Sequence, residues 1–149
     1  MKKSVNLMRC KVVKERSIKY DALEHEIDCP DDAVSILRAL GLSDASDEYF
    51  YEICLSCIGQ ITGVHEISHG ELSATMVHPR EVLKRALVNN ASGIIVAHNH
   101  PSGNPEPSSE DIETTKRIKE ACRILGITLM DHIIIAGNDF TSFKTDGLL

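Results

Sequence analysis

The sequence lacks several features that would fix its location. It contains no apolar run long enough to cross a bilayer as a helix. Its first ten residues lack the apolar core and the small-residue cleavage site of a signal peptide. The five cysteines are odd in number and scattered, which does not fit a disulfide framework. We therefore predict a cytoplasmic protein that is not attached to a membrane.

An excess of positive charge is also missing. The 149 residues include 16 Lys and Arg against 22 Asp and Glu, which gives a net charge of −6. This balance argues against strong, charge-driven binding to nucleic acid. Internal repeats and low-complexity tracts are absent too. With 42% hydrophobic and 26% charged residues, we predict a single globular domain over residues 1–149, in which residues 1–30 form an N-terminal extension whose role the sequence does not define.

Hydrophobic periodicity and turn residues predict strands that alternate with helices. The predicted helices are 31–40, capped by Asp31 or Asp32, a second that opens at Pro79, and 108–125. The predicted strands are an edge strand within 4–20, two antiparallel strands within 48–67, a continuation at 70–78, and two buried strands at 94–97 and 127–136. This order predicts α/β or α+β layers around one mixed sheet.

Two histidines follow the short buried strand at 94–97. His98 and His100 are two residues apart, so both imidazoles project to the same face if the strand continues through them. Pro101 ends strand pairing at that point, and Asp111 falls in the first turn of the next predicted helix. We expect the intervening loop to fold back and bring the carboxylate to the two imidazoles.

Two imidazoles and one carboxylate form a three-ligand zinc set whose fourth position stays open, as in catalytic sites. An H-x-H pair alone is more often surface or turn chemistry. Ser108 followed three residues later by Asp111 also fits a helix capping box. The combination of a buried strand, the histidine pair, a proline-rich loop and a capped helix favours the metal site.

These residues resemble a known motif. His98-x-His100 followed by Asp111, with Ser108 three residues before the Asp, resembles the JAMM (MPN+) metal-binding motif. Closer resemblance is to the bacterial RadC family, and it lies in Val77–Val82, Ala97–Asn104, Asp131–Ile135, Ser142–Phe143 and Gly147–Leu149. The resemblance covers roughly residues 46–149 and is most specific over 94–111.

The resemblance implies an MPN/JAB fold, related to the cytidine-deaminase-like three-layer sandwich, with helices on both sides of one mixed sheet. It also implies one zinc ion per chain on His98, His100 and Asp111. In JAMM enzymes a Glu distant in sequence acts as general base. Glu48, which opens an apolar strand, is the predicted match, and the alternatives are Glu52, Glu71 and Glu81. Ser108 would stabilise the oxyanion.

The resemblance implies a zinc-dependent hydrolase, a metallopeptidase or isopeptidase whose substrate is a peptide or protein. The alternative is a non-catalytic, zinc-containing accessory module that binds DNA repair or replication proteins. Asn99 departs from the Ser or Thr of eukaryotic JAMM proteins, as it does in RadC-like proteins. The first 45 residues do not supply the helix-hairpin-helix module of most RadC proteins, which weakens the expectation of direct DNA binding. The oligomeric state stays open between a monomer and a homo-oligomer.

Overall fold

Helices and strands alternate along the chain, as the sequence predicts. The computed structural model describes residues 4–20, 26–70 and 77–149. The elements are α1 (Pro30–Ala39), β1 (Glu48–Leu55), β2 (Ile61–Gly70), α2 (Pro79–Val88), β3 (Gly93–Asn99), α3 (Ser109–Leu125), β4 (Thr128–Ala136) and β5 (Asp139–Ser142). No helix within these described stretches combines the length and the hydropathy that a membrane span needs.

The strands form one mixed sheet in the order β2-β1-β3-β4-β5. Only the β3–β4 pair among them is parallel, and α3 makes the crossover that a parallel pair requires. One hydrophobic cluster joins α1 to one face of the sheet, and a second joins α2 and α3 to the other face. The expected three-layer sandwich is therefore confirmed.

The central strand β3 is buried along its whole length. It is paired on both sides and covered by helices on both faces, which explains why its sequence is a continuous apolar run rather than an alternating one. Its carboxyl end lies beside the amino end of β1, because the two strands are antiparallel with Phe50 opposite His98. This pairing brings residues distant in sequence to one edge of the sheet.

Four expectations about local structure were wrong. Residues 4–20 contain no strand, and the predicted tail contains β5, which pairs antiparallel with β4. The cap residue of α1 is Cys29, not Asp31 or Asp32. The backbone N–H of Cys29 donates to the carboxylate of Asp32. Leu87, whose spacing with Val82, Leu83 and Ala86 predicts a place in the buried stripe of α2, is 52% exposed.

The strand predicted at 70–78 falls mostly on residues 71–76, which lie outside the described residues. The same holds for Glu71, one of the alternative general bases. On either side of this gap, β2 ends at Gly70, and residues 77 and 78 belong to no strand. His78 caps α2 by accepting a hydrogen bond from the backbone N–H of Arg80.

Candidate metal centre

A cleft of about 450 Å³ opens where β1, β3 and α3 meet at the edge of the sheet. The loop between β3 and α3 is held against the sheet, because the backbone N–H of His100 donates to the carbonyl of Ile135 at 2.8 Å. The Thr141 hydroxyl also donates to the carbonyl of Pro105 at 2.8 Å. The cleft is lined by Glu48, Phe50, Val77, His98, His100, Ser102, Ser108, Glu110, Asp111 and Thr114.

His98, His100 and Asp111 form the cluster among the described residues that could hold a metal ion. The Nε2 atoms of the two histidines are 3.0 Å apart. Asp111 Oδ1 lies 3.1 Å from His98 Nε2, and Asp111 Oδ2 lies 3.4 Å from His100 Nε2. Strand parity and the return of the loop therefore bring the three side chains together as the sequence predicts.

The donor atoms fit a small tetrahedral ion such as zinc. Metal–ligand bonds of about 2.0 to 2.1 Å place the ligand atoms of a tetrahedral site about 3.3 Å from one another. The three observed separations, 3.0, 3.1 and 3.4 Å, are close to that value. Two neutral imidazoles and one carboxylate also form a ligand set that zinc accepts in open sites.

In both imidazoles the nitrogen that faces away from the cluster, Nδ1, has a hydrogen-bond partner. His100 Nδ1 lies 2.8 Å from the carbonyl oxygen of Asn104, an acceptor only, so Nδ1 carries the proton and Nε2 is free to bind a metal. The sequence Ser102-Gly103-Asn104 predicts either backbone donors for a substrate or a simple tight turn. In the structure this segment contributes the acceptor for His100. His98 Nδ1 lies 2.8 Å from Nε2 of His132, a buried histidine of β4.

Asp111 is both a cluster member and part of the helix cap. Its Oδ2 accepts from the backbone N–H of Ser108 at 2.8 Å and from the Ser108 hydroxyl at 2.7 Å. The Ser108 hydroxyl in turn accepts from the backbone N–H of Asp111 at 3.1 Å, which completes the capping box. Burial acts to raise the pKa of Asp111, but the neighbouring His100 and His98 imidazoles and the hydrogen bond from the Ser108 hydroxyl outweigh it and hold that pKa well below its ordinary value.

Glu48 lines the cleft that the cluster faces. It lies two residues before Phe50 on the same face of β1, and Phe50 stacks on His98 with ring centroids 5.9 Å apart and an interplanar angle of 8°. The neighbouring Asp111 carboxylate is the main cause that raises the pKa of His100, and the charge of Glu48 contributes in the same direction. The strand register thus brings Glu48 to the edge of the metal cluster.

The alternative bases within the described residues lie elsewhere. Glu52 is fully buried under the helices and does not line the cleft. Glu81 is on α2, where its carboxylate pairs with Lys84 at 2.7 Å and with Arg85 at 3.4 Å. Lys84 and Arg80 are exposed, as expected of a solvated helix face. Geometry therefore favours Glu48 over these two, while its catalytic role stays a prediction.

Two side-chain hydrogen bonds explain why an asparagine, Asn99, lies between the two histidines. Its side-chain Oδ1 accepts from the backbone N–H of Tyr49 at 2.7 Å, and its Nδ2 donates to the carbonyl of Asp47 at 2.9 Å. Both backbone groups flank Glu48, so one amide fixes the start of β1 from both sides. A Ser or Thr side chain has a single polar atom, so it cannot place a donor and an acceptor on two separate atoms as this amide does.

Sequence reasoning missed several residues that surround the cluster. It identified neither the aromatic contact of Phe50 nor the carboxylate of Glu110 in the cleft wall. From the sequence, His132 beside Asp131 in a predicted strand fits either a satisfied, half-buried histidine or a residue that lines the site, and Thr115 only shares the helical spacing of Ile118 and Cys122. A polar Thr on the buried face of a helix was the one available signal. The partner of Thr115 is His132 on β4, seventeen residues later in the sequence.

Comparison with known proteins gives the same identification. A family model for the RadC-like JAB domain matches residues 27–148. A UPF0758 protein from Desulforamulus reducens is 45% identical over 123 residues, which cover 83% of this chain and 54% of the relative. One from Clostridium beijerinckii is 40% identical over 134 residues, covering 90% of this chain and 58% of the relative.

A third relative, a UPF0758 protein from Listeria welshimeri, is 46% identical over 131 residues, which cover 88% of this chain and 58% of the relative. The chain thus spans little more than half the length of these curated relatives, and their names state no activity. The matched segment contains the five strands and three helices of the described residues, together with the cluster that could hold a metal ion. The chain belongs to the family of RadC-like JAB domains.

Proposed function

We propose that this domain is a zinc-dependent hydrolase of the JAMM type, a metallopeptidase or isopeptidase that acts on a peptide or protein. One observation carries the proposal: Glu48 and Ser108 line the same cleft as the three-ligand cluster. A purely structural zinc site is closed by four protein ligands, whereas this cluster has three among the described residues and faces a cleft.

The residues divide into ligands and reacting groups. His98, His100 and Asp111 would hold the zinc ion, which supplies a Lewis acid and lowers the pKa of water to about 7. Glu48 would accept the proton of the attacking water and return it to the leaving amine. Ser108 would donate a hydrogen bond to the developing oxyanion, which requires its hydroxyl proton to turn away from Asp111 Oδ2.

Metal content is the first test. Protein purified without chelators should contain about one zinc per chain, and His98→Ala should lose it. A metal-free wild type, or unchanged zinc content after His98→Ala, contradicts the ligand assignment.

Hydrolysis is the second test, read on libraries of peptides and isopeptide-linked peptides. Glu48→Gln should keep zinc and lower the rate by roughly 10²- to 10⁴-fold, the usual contribution of a general base. Glu52→Gln, on the same strand but outside the cleft, is the matched control and should keep activity. Activity retained by Glu48→Gln would exclude the role assigned to Glu48.

The accessory-module alternative gives a different result. A zinc-loaded wild type would then hydrolyse no member of either library. The Glu48→Gln and His98→Ala variants would capture DNA repair or replication proteins as well as the wild type does.

We also place the protein in the cytoplasm, in keeping with five cysteines that are all free thiols, three of them exposed.

A further inference from the structure

A chain of three hydrogen bonds runs behind the metal cluster. His98 Nδ1 lies 2.8 Å from His132 Nε2, and His132 Nδ1 lies 2.6 Å from the Thr115 hydroxyl. Thr115 then donates to the backbone carbonyl of Asp111 at 2.6 Å. The chain begins at one predicted metal ligand and ends on the backbone of another. His132 and Thr115 are 0% and 2% exposed, so solvent does not compete for these bonds.

The carbonyl at the end of this chain sets the direction of every bond in it. A carbonyl oxygen only accepts, so Thr115 uses its single proton on Asp111. The Thr115 oxygen must therefore accept from Nδ1–H of His132. The neutral His132 ring then has a lone pair on Nε2, which accepts from Nδ1–H of His98.

This direction matches what a metal ion requires. His98 with a proton on Nδ1 has its lone pair on Nε2, the atom that lies 3.1 Å from Asp111 Oδ1 and 3.0 Å from His100 Nε2. The tautomer imposed from Thr115 is thus the one that binds metal. The opposite tautomer of His98 would place a proton on the donor atom and a lone pair against His132.

Packing holds the His132 ring in the required plane. Phe50 meets it edge-on with centroids 5.7 Å apart, and Phe143 stacks on it at 4.6 Å. Phe143 is itself fully buried, and its backbone N–H donates to the carbonyl of His132 at 3.0 Å. Asp131 fixes the same segment by accepting from the Ser142 hydroxyl at 2.6 Å and from the next backbone N–H after Phe143 at 2.9 Å.

We propose that His132 is a positioning residue for the metal ion, which holds His98 in the tautomer with Nε2 free for zinc, and that Thr115 sets the direction of this hydrogen bond. The inference rests on the proposed metal site and goes beyond its ligand set. It also gives a role to two dipeptides, Asp131-His132 and Ser142-Phe143, outside the cleft. Partners of this kind typically contribute roughly 10- to 100-fold to metal affinity.

Zinc affinity of the full chain, measured by competition with a chromophoric chelator, is the first readout. His132→Leu cannot accept from His98 and should weaken zinc binding by roughly 10- to 100-fold. His132→Gln keeps an acceptor and should lose much less. Thr115→Val should weaken binding severalfold, while Thr115→Ser, which keeps the hydroxyl, should bind like the wild type. Ile118→Val, a cavity change one turn along α3, is the control for loosened packing and should leave affinity unchanged.

The tautomer of His98 is the second readout, which a purely structural role would not move. Long-range ¹H–¹⁵N correlation spectra of the metal-free protein should show a proton on His98 Nδ1 in the wild type, because His132 accepts from that atom. Thr115→Val should give a mixture of the two tautomers. This readout keeps the proposal testable even if His132→Leu fails to fold.

The outcomes separate this inference from the proposed metal site. Zinc affinity lost in His98→Ala but unchanged in folded His132→Leu would overturn the inference alone. A wild type with no proton on His98 Nδ1 would overturn it as well. A wild type that binds no zinc would overturn the metal site and the inference together.

Discussion

Glu52 carries a buried carboxyl group whose protonation should control stability. Its side chain is 0% exposed, and neither carboxyl oxygen has a hydrogen-bond partner among the described residues. Burial raises the pKa of Glu52 from 4.5 to about 8, against the opposing effects of the nearby Arg85 charge and of the neighbouring Cys54 thiol. At neutral pH the folded protein therefore holds this group protonated, while the unfolded chain holds it ionised.

The sign of the pH dependence follows from that difference. Between pH 4.5 and about 8 the folded state binds one proton more than the unfolded state at Glu52, so stability falls as pH rises through this window. The stabilisation is fully present below pH 4.5 and is lost above about pH 8. With about 1.4 kcal/mol per pH unit, the total loss across the window is on the order of 5 kcal/mol.

Glu52→Gln tests this reasoning, because glutamine matches the neutral carboxyl group in shape and does not titrate. We expect urea unfolding from pH 5 to 9 to show the variant gaining about 1.4 kcal/mol per pH unit relative to the wild type, up to about pH 8. Taking the difference at each pH cancels the titration of all other groups. Glu113→Gln, at an exposed position of α3, is the control and should differ from the wild type by a constant amount. If the free energy of unfolding of Glu52→Gln differs from that of the wild type by a constant amount, or by an amount that falls as pH rises, Glu52 is not a buried neutral carboxyl group.

Three further predictions concern the site. Ser108→Ala removes the hydroxyl of the capping box with Asp111 and should lower the free energy of unfolding by about 1 to 2 kcal/mol in urea, whereas an unchanged midpoint would show that the cap contributes nothing. Asn99→Leu breaks both bonds to the backbone that flanks Glu48, so hydrogen exchange at the start of β1 should accelerate by at least tenfold, and unaltered exchange would contradict the clamp. Free zinc at about 100 times its dissociation constant should stabilise the wild type by about 2.7 kcal/mol in thermal unfolding and leave His98→Ala unaffected; equal stabilisation of both would place the metal elsewhere.

Local sequence patterns were sufficient to predict most helices and strands, because apolar runs, prolines and glycines act on the backbone within a few residues. Strand β3 is an uninterrupted apolar run, and Pro79 and Gly126 mark the start of α2 and the end of α3. Gly126 has φ 70°, a backbone conformation that favours glycine, so the end of α3 is encoded by one residue. The expected edge strand in 4–20 failed because strand residues also need a partner, which that segment does not have among the described residues.

The metal cluster was readable because its geometry depends on short-range rules. Residues two positions apart on a strand lie on the same face. The side chains of His98 and His100 therefore converge through local backbone geometry alone. Asp111 follows after a short loop into a capped helix, which limits where its carboxylate can lie. Glu48 could be named only through family resemblance, because its approach to His100 depends on the register of β1 against β3.

The sequence by itself determined that His98, His100 and Asp111 lie together, since strand parity and helix capping act within a few residues. Only the tertiary structure decided what surrounds them. His132 became the partner of His98 because β4 pairs in parallel with β3, and Thr115 reached His132 because α3 packs on that face of the sheet. Hydrogen bonds between residues 17 and 34 positions apart have no local signature, because they require the assembled sheet and helix.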